Sequence, residues 1–280
     1  MINALLNYDF LQNAFFSAIL ASIACGIIGT IIMEKRLVMM SGGIAHTAFG
    51  GIGMGYFLGI EPIIGALFFS VAAAVGIANI QKKTHTNSDI LIGISWSLGM
   101  ALGILFISFT PGYPPDMTSY LFGDILVVSQ MDLNITIALD LVVVSITLAF
   151  FDSLQAYLFD EEFATVIGIP TAVIEYMLYI LIALTVVTLI RVVGIILIIS
   201  LLTVPPSIAK QFSYHLKNVI LLSIALGICF CLSGLWLSYA IHIPSGAAIT
   251  VLSASTYITA YIIKERLKKR YMETDSNSRN

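Results

Sequence analysis

The chain has 280 residues, of which 59% are hydrophobic and only 10% are charged, and its formal net charge is −3. Soluble domains typically carry roughly 25% charged residues, so the composition excludes an ordinary soluble protein and indicates a chain that faces lipid. We expect membrane lipid around it and no nucleic-acid partner. The three cysteines lie inside apolar runs, which predicts small buried side chains and neither a disulfide framework nor a zinc site: Cys25, Cys229 and Cys231.

Apolar runs of membrane-spanning length follow one another along the chain. A spanning helix needs roughly 20 mainly apolar residues. The sequence therefore predicts an all-α, polytopic transmembrane bundle of about eight to ten spans. The nine candidate spans are 12–33, 38–59, 62–80, 90–110, 132–151, 172–190, 192–209, 218–238 and 246–264. The segment 192–209 is short enough to be half of a broken helix.

The basic residues predict the orientation of this bundle. With the N-terminus outside and the C-terminus inside, 12 of the 13 Lys and Arg residues fall in cytoplasmic loops or the tail, and only Arg191 lies outside. This bias is the positive-inside pattern of membrane proteins. Arg191 could pair with an outer acid such as Glu61 or Asp116, but no sequence pattern fixes its partner.

The second predicted span is rich in glycine and contains a histidine. Residues 39–59 include seven glycines and His46. At helical spacing, Gly51, Gly55 and Gly59 form one face of small residues, which favours close helix packing in lipid. The opposite face is predicted to form a smooth, pore-lining groove around His46, made of Gly42, Gly43, Gly50 and Gly53.

His46 has two interpretations. An imidazole near the middle of a span is unfavourable against lipid, so it is expected to face the bundle interior or a water-filled path. Neutral imidazole also binds first-row divalent metals well. The alternative is a packing histidine that hydrogen-bonds a backbone carbonyl, and the sequence leaves both open.

Two acids lie in the central part of the chain. Asp124 follows Gly123 in a region too short and polar for a full span, and it is a candidate for a re-entrant segment. Asp140 is near the centre of 132–151, where a carboxylate normally faces a cavity or a partner. For each acid, a structural role is the alternative to a place on a transport path.

The predicted cytoplasmic loop 152–171 contains four acids and no basic residue. Asp160 is predicted to cap a short helix whose first turn carries Glu161 and Glu162. Phe163, Ala164, Ile167 and Gly168 follow, and Pro170 ends the helix. Such a helix could dock into a partner, or it could lie on the bilayer surface, although its acidity disfavours anionic lipid.

The remaining features are few. Pro205 and Pro206 are expected to kink or end a helix. The chain is predicted to form one transmembrane domain over residues 1–270, which includes the loop 152–171, and a flexible cytoplasmic tail over 271–280.

Five stretches of the chain, in order, resemble motifs of one family. SGGIAHTAFGG (41–51), SYLFGDIL (119–126), DEEFATVIGI (160–169), GIILIISLLTVPPSIA (194–209) and SYAIHIPSGAAIT (238–250) are similar to motifs of the prokaryotic metal-type ABC transporter permeases. The resemblance extends over most of the chain. It implies a permease subunit that imports zinc, manganese or iron, with the metal ion as cargo and no permanently bound cofactor.

The resemblance also implies partners. Two permease chains, expected to be a homodimer, form the pore, two cytoplasmic ATPase subunits drive it, and an extracellular metal-binding protein delivers the ion. The segment 160–169 corresponds to the family's coupling segment, so Asp160, Glu161, Glu162, Phe163, Ala164 and Gly168 are expected to contact the ATPase. The chain carries no G-x-x-x-x-G-K-[ST] phosphate loop and is not expected to be an enzyme itself.

The chain departs from the family at Gly42. Many members carry an Asp there, four residues before the motif histidine, which would place a carboxylate and an imidazole one turn apart. Asp140 and Asp124 are candidates for the missing oxygen ligand of a metal ion at His46. Otherwise the path binds the metal more weakly.

Three other functions remain open from the sequence. A secondary transporter or channel could use His46 and Asp140 as a relay, but it gives the acidic loop no purpose. An importer of a metal chelate would favour a wide glycine-lined cavity. A membrane enzyme lacks a recognisable nucleophile.

Overall fold

A computed structural model describes residues 9–84, 86–111, 123, 125 and 128–277, with side chains described between residues 10 and 266. These residues form ten helices and no strand, which confirms the predicted all-α bundle. The helices are α1 (Asp9–Glu34), α2 (Val38–Leu58), α3 (Pro62–Thr84), α4 (Ser88–Phe109), α5 (Gln130–Ala149), α6 (Phe151–Phe159), α7 (Glu161–Val166), α8 (Thr171–Phe212), α9 (Leu216–Ile241) and α10 (Ser245–Asn277).

Seven helices of the described chain are long and apolar enough to cross a membrane, and they cover eight of the nine predicted spans. The remaining predicted span, 38–59, corresponds to α2, which has 21 residues but is not among the seven. Its glycines and His46 lower its hydropathy. It is nevertheless mostly buried within the bundle, because α3 and α4 cover it on two sides.

Helix α8 contains two of the predicted spans. Its 42 residues would extend over about 63 Å if straight, roughly twice the 30 Å thickness of bilayer hydrocarbon. The backbone leaves helical geometry at Gly194, with φ 79° and ψ 165°. Near one terminus Glu175 pairs with Lys82 at 3.6 Å, and near the other Lys210 pairs with Glu34 at 2.8 Å. Glu34 and Lys82 lie at the ends of α1 and α3, which are on the same side of the bundle. Both termini of α8 are therefore on that side, and the chain turns back at Gly194.

Arg191 lies three residues before this turn, at the opposite side of the bundle. Its Nη1 is 3.1 Å from Glu61 Oε1, in the connection between α2 and α3. Its Nε is 2.8 Å from Asp132 Oδ1, an ion contact whose angle falls short of a hydrogen bond. Of the two acids considered from the sequence, Glu61 pairs with Arg191 and Asp116 lies outside the described residues, while Asp132 is an additional partner. We call this side the Arg191 end.

The other side, where Glu34, Lys82, Glu175 and Lys210 lie, is called the basic end. Lys35 is also there and pairs with Glu161 at 2.7 Å. The basic residues of the connections between helices thus gather at one side of the bundle, as the positive-inside pattern requires. That this side faces the cytoplasm stays a prediction.

Burial separates central helices from peripheral ones. The most apolar stretches of α1 and α8 are each 72% buried, whereas that of α4 is 17% buried. Helices α1 and α8 therefore form the centre. The outer surface carries large apolar side chains that lipid accepts and water does not. Examples are Ile90, Ile94, Leu98 and Leu105 on α4 and Val251, Ile258 and Ile262 on α10.

The structure corrects several expectations. The loop 152–171 begins with a helix, α6, that the sequence did not predict. Pro205 and Pro206 neither end the helix nor break it, because α8 continues to Phe212 and leaves helical geometry only at Gly194. Helix α10 extends to Asn277, so most of the predicted tail is helical. Cys25 and Cys231 are buried as expected, but Cys229 is exposed on the outer side of α9.

Candidate functional site

His46 lies on α2 and stacks on an aromatic ring from α4. The imidazole and the Trp96 indole are nearly parallel, with an interplanar angle of 8° and centroids 4.2 Å apart. His46 is half-buried, and its Nδ1 is enclosed without a hydrogen-bond partner among the described residues. The stacking fixes the plane of the ring and leaves Nδ1 without a partner, and the choice between a packing histidine and a place on a transport path stays open.

Sequence reasoning missed Trp96. It lies in the middle of α4, about 50 positions from His46, with no spacing that relates the two. They meet because α2 and α4 run in the same direction with their glycines in contact. The neighbouring Thr47 supports this register, since its hydroxyl donates to the Ser95 carbonyl at 3.0 Å. Only the packing of the two helices places an indole against the imidazole.

The predicted groove around His46 is only partly open. A Cβ built on Gly50 would lie 2.7 Å from the Gly99 carbonyl, and one on Gly53 would lie 2.6 Å from the Gly103 carbonyl, both in α4. Gly43 is likewise covered by Ile92. Within one chain these three glycines bring α4 close, and their pore-lining role stays a prediction.

Gly42 is the exception among these glycines. A Cβ there would meet Trp96 and Ile199 at 3.8 Å, which is ordinary van der Waals contact. Buried Gly42 therefore leaves room for a Cβ between α4 on one side and the second half of α8 on the other. An alanine fits this position without moving its neighbours.

The opposite face of α2 packs as predicted at Gly51 and Gly55 but not at Gly59, which ends the helix with φ 68° and where a Cβ would meet nothing within 4 Å. Gly51 lies so close to Gly65 of α3 that a Cβ on either residue would collide with the backbone of the other. Gly55 approaches Pro62, and a Cβ there would lie 2.7 Å from the proline Cα. The small-residue face therefore fixes α2 against α3.

Of the two acids, only Asp140 lies in the described part of the chain, and it makes no hydrogen bond to His46. Asp140 is buried on α5, and neither of its carboxylate oxygens has a hydrogen-bond partner among the described residues. Helix α5 packs against α1 and α8, and Cys25 of α1 is one neighbour of Asp140. His46 instead faces α4, so their pairing stays a prediction. Asp124 lies outside the described residues.

No group of three or more His, Cys, Asp and Glu side chains within the described ranges is arranged to hold a metal ion. His46 and Asp140 remain the described candidates for contact with a metal, each on a separate helix. A metal site at His46 with several protein ligands would need side chains from outside the described residues or from a second chain.

A second candidate surface lies at the basic end, on α6 and α7. Asp160 caps α7 by accepting a hydrogen bond from the Phe163 amide at 3.0 Å, as predicted. Gly168, with φ 85°, terminates that helix in the left-handed conformation. Glu161 and Glu162 occupy the first turn and are exposed.

This segment displays apolar side chains to its surroundings. Phe159 is 91% exposed and Val166 is 84% exposed, and Phe163 and Ile167 are also exposed. Ala164, which the sequence placed among the partner contacts, is fully buried against the protein's own core. Sequence reasoning missed Phe159, Val166 and the exposure of Ile167, because the inward side of so short a helix cannot be inferred from periodicity.

Comparison with known proteins gives consistent results. A family model described as the ABC 3 transport family matches residues 7–264. An uncharacterised membrane protein of Synechocystis sp. is 40% identical, covering 92% of each chain. The manganese import system permease protein ScaB of Streptococcus gordonii is 34% identical, covering 97% of each.

The fold also matches a solved structure. A chain of PsaBC from Streptococcus pneumoniae in complex with Fab superimposes with a TM-score of 0.83 and 32% identity, covering 93% of this chain and 94% of that one.

Proposed function

Because this chain belongs to the ABC 3 transport family, we propose that it imports divalent manganese, zinc or iron as the pore-forming subunit of an ATP-driven importer. It is a multi-pass protein of the prokaryotic plasma membrane and a metal-transport permease. The observation that carries the proposal is the apolar surface of α6 and α7, which fits a partner subunit.

Lipid is a poor match for that surface. Asp160, Glu161 and Glu162 adjoin the exposed Phe163 and Val166, and carboxylates are repelled by anionic lipid. Exposed apolar side chains rimmed by charged groups are typical of protein interaction sites. The surface is therefore assigned to a cytoplasmic ATPase subunit that offers an apolar cleft with a basic rim.

The path for the ion is assigned to the space between α2, α4 and α8. There the imidazole of His46 has an unpartnered nitrogen, and Gly42 leaves room for a Cβ. Imidazole suits zinc and iron, and carboxylates suit manganese, so a histidine with a nearby acid does not by itself choose among the three metals. The name of the Streptococcus gordonii relative favours manganese. A second copy of the chain would bring a second His46, and an extracellular binding protein would deliver the ion.

A secondary transporter or channel is the alternative. It would use a histidine in the membrane equally well, but it gives α6 and α7 no partner. Dependence of uptake on the ATPase therefore separates the two functions.

The test is uptake of radiolabelled manganese, zinc and iron into vesicles that contain this chain, its ATPase and its binding protein. Uptake is expected to require ATP, and His46→Ala is expected to lower it about tenfold or more, as loss of a group at a metal site typically does. His215→Ala is the matched control, because His215 lies in a connection at the basic end. Normal uptake by His46→Ala would remove His46 from the path.

The same vesicles test the docking surface. The double variant Phe159→Ala/Phe163→Ala is expected to lower co-purification of the ATPase about tenfold or more, since buried aromatic anchors dominate interface energies. Phe212→Ala is the control, because Phe212 is exposed at the basic end outside α6 and α7. Uptake that persists without the ATPase would favour the secondary transporter.

A further inference from the structure

Lys35 connects the end of α1 to both helices of the docking surface. Its Nζ donates a hydrogen bond to Glu161 Oε2 of α7 at 2.7 Å. The same ammonium lies 3.6 Å from the centroid of the Tyr157 ring of α6. Burial, with Glu161 and Glu175 nearby, raises the pKa of Tyr157 above its usual range, so the ring is a neutral phenol. One cation thus touches two consecutive helices through two different kinds of contact.

These contacts are not what keeps α6 and α7 in place. The Lys35 side chain is 18% exposed, but the Glu161 side chain is 51% exposed, and an ion pair whose acid is solvated contributes little to folding stability. Tyr157, Leu154 and Ala164 are buried in the core and already anchor both helices. Removing Lys35 should therefore leave the fold intact, and its effect is expected on the position of α7 relative to α1 and α2.

The connection that carries Lys35 is short and leads directly into α2. Arg36 has φ 58°, and the Leu37 amide donates to the Ile32 carbonyl at 2.8 Å, which closes α1. The Met40 amide then donates to the Leu37 carbonyl at 2.9 Å, which opens α2. Only three residues separate the two helices. A displacement of Lys35 is therefore expected to move α2 and, further along that helix, His46.

We propose that Lys35 is a positioning residue that transmits the movement of the ATPase-docking helices to α2, the helix that carries His46. This inference rests on the proposed function. The Lys35–Glu161 pair joins a surface that faces the ATPase to a helix that borders the path. Its loss leaves the ATPase bound and active while fewer ions move for each ATP hydrolysed.

A second pair at the basic end supplies a matched control. Lys82 Nζ lies 3.6 Å from Glu175 Oε2 and 5.4 Å from the centroid of the Tyr176 ring. It has the same chemistry as Lys35, one carboxylate and one tyrosine ring. It joins α3 to α8, however, and it does not touch α6 or α7.

The experiment measures ATP hydrolysis and manganese uptake in the same vesicles, with the permease, the ATPase and the binding protein reconstituted together. Lys35→Glu is expected to lower the ions moved per ATP about fivefold, the lower range of coupling between sites, with ATPase co-purification unchanged. Glu161→Lys is expected to lower the same ratio, counted per ATPase that remains bound, because Glu161 also lies on the docking surface. The double variant Lys35→Glu/Glu161→Lys is expected to restore much of the ratio, because it restores the pair. Lys82→Glu is expected to keep the wild-type ratio.

Three results would overturn the proposal. An unchanged ratio in Lys35→Glu would mean that the pair transmits nothing. A loss of co-purification in proportion to uptake, or a double variant no better than either single variant, would mean that Lys35 only shapes the docking surface or acts without Glu161. If the wild-type complex shows no ATP-dependent uptake of manganese, zinc or iron, the proposed function itself fails, and this inference with it.

Discussion

The two ends of the bundle use charge differently. At the Arg191 end a single cation contacts two acids from separate elements, next to the turn of α8. At the basic end the described residues form three pairs, each of one cation and one acid: Lys35–Glu161, Lys82–Glu175 and Lys210–Glu34. Loss of Arg191 leaves two carboxylates without their cation, whereas loss of any cation at the basic end leaves one.

Burial sharpens the difference. The Asp132 side chain is only 9% exposed, whereas the acids at the basic end are 14% (Glu175), 26% (Glu34) and 51% (Glu161) exposed. A buried charge without a partner is costly, and a solvated one is not. The comparison teaches that the Arg191 end determines how the helices meet, while the Lys35–Glu161 pair, which has the most exposed acid, can break and form again. The second property suits an end that moves with a partner subunit.

The largest expected effect is at the turn beside Arg191. Gly194→Val places a β-branched residue at φ 79° and ψ 165°, a region that is essentially restricted to glycine. We expect destabilisation of about 3 kcal/mol, at the upper range for such strain, measured as a lower melting temperature of the purified protein in detergent. Gly76→Val is the control, because a Cβ there meets nothing within 4 Å. Equal melting temperatures for the two variants would mean that the turn does not require glycine.

The second effect is loss of the shared cation. Arg191→Gln is expected to destabilise the protein by about 2 kcal/mol, because Oδ1 of the buried Asp132 loses its cation while Oδ2 keeps its hydrogen bonds to Ser129. Glu61→Gln keeps the Asp132 contact and removes only an exposed partner, so it should cost about 0–1 kcal/mol. Melting temperatures of the two variants, measured side by side, check this order. A larger effect of Glu61→Gln would invert the roles assigned to the two acids.

The smallest effect is at the basic end. Lys82→Gln removes a cation that lies 3.6 Å from Glu175, beyond the range of a hydrogen bond, so a cost of about 0–1 kcal/mol is expected although the Glu175 side chain is only 14% exposed. Its melting temperature should be close to that of the wild type and above that of Arg191→Gln. A cost as large as that of Arg191→Gln would remove the distinction between the two ends.

The helices themselves were largely predictable. Lipid requires each span to be apolar and helical, so hydropathy located the spans within a few residues, including the two halves of α8. The cap at Asp160 was also predictable, because its side chain satisfies an amide three residues away. The break in α8 was predicted between the spans 172–190 and 192–209, and it occurs at Gly194, where the backbone has a positive φ. The helix end expected at Pro205 and Pro206 is absent, because both residues remain in the helix.

The candidate site was less predictable than the fold. His46 stood out in the sequence because an imidazole within a span is costly. Its neighbour Trp96 did not, and neither did the covering of Gly43, Gly50 and Gly53 by α4. Those facts depend on which helix packs beside α2, and helical periodicity assigns faces without naming the neighbour.

The sequence by itself determined the solvent, the helices and the small-residue faces of α2, because these follow from hydropathy and from spacing along one chain. Only the tertiary structure decided that Arg191 contacts both Glu61 and Asp132, that Trp96 stacks on His46, and that Lys35 reaches α6 and α7. Each of these contacts joins residues far apart in the chain. Their geometry depends on the register of packed helices, a property that no single helix contains.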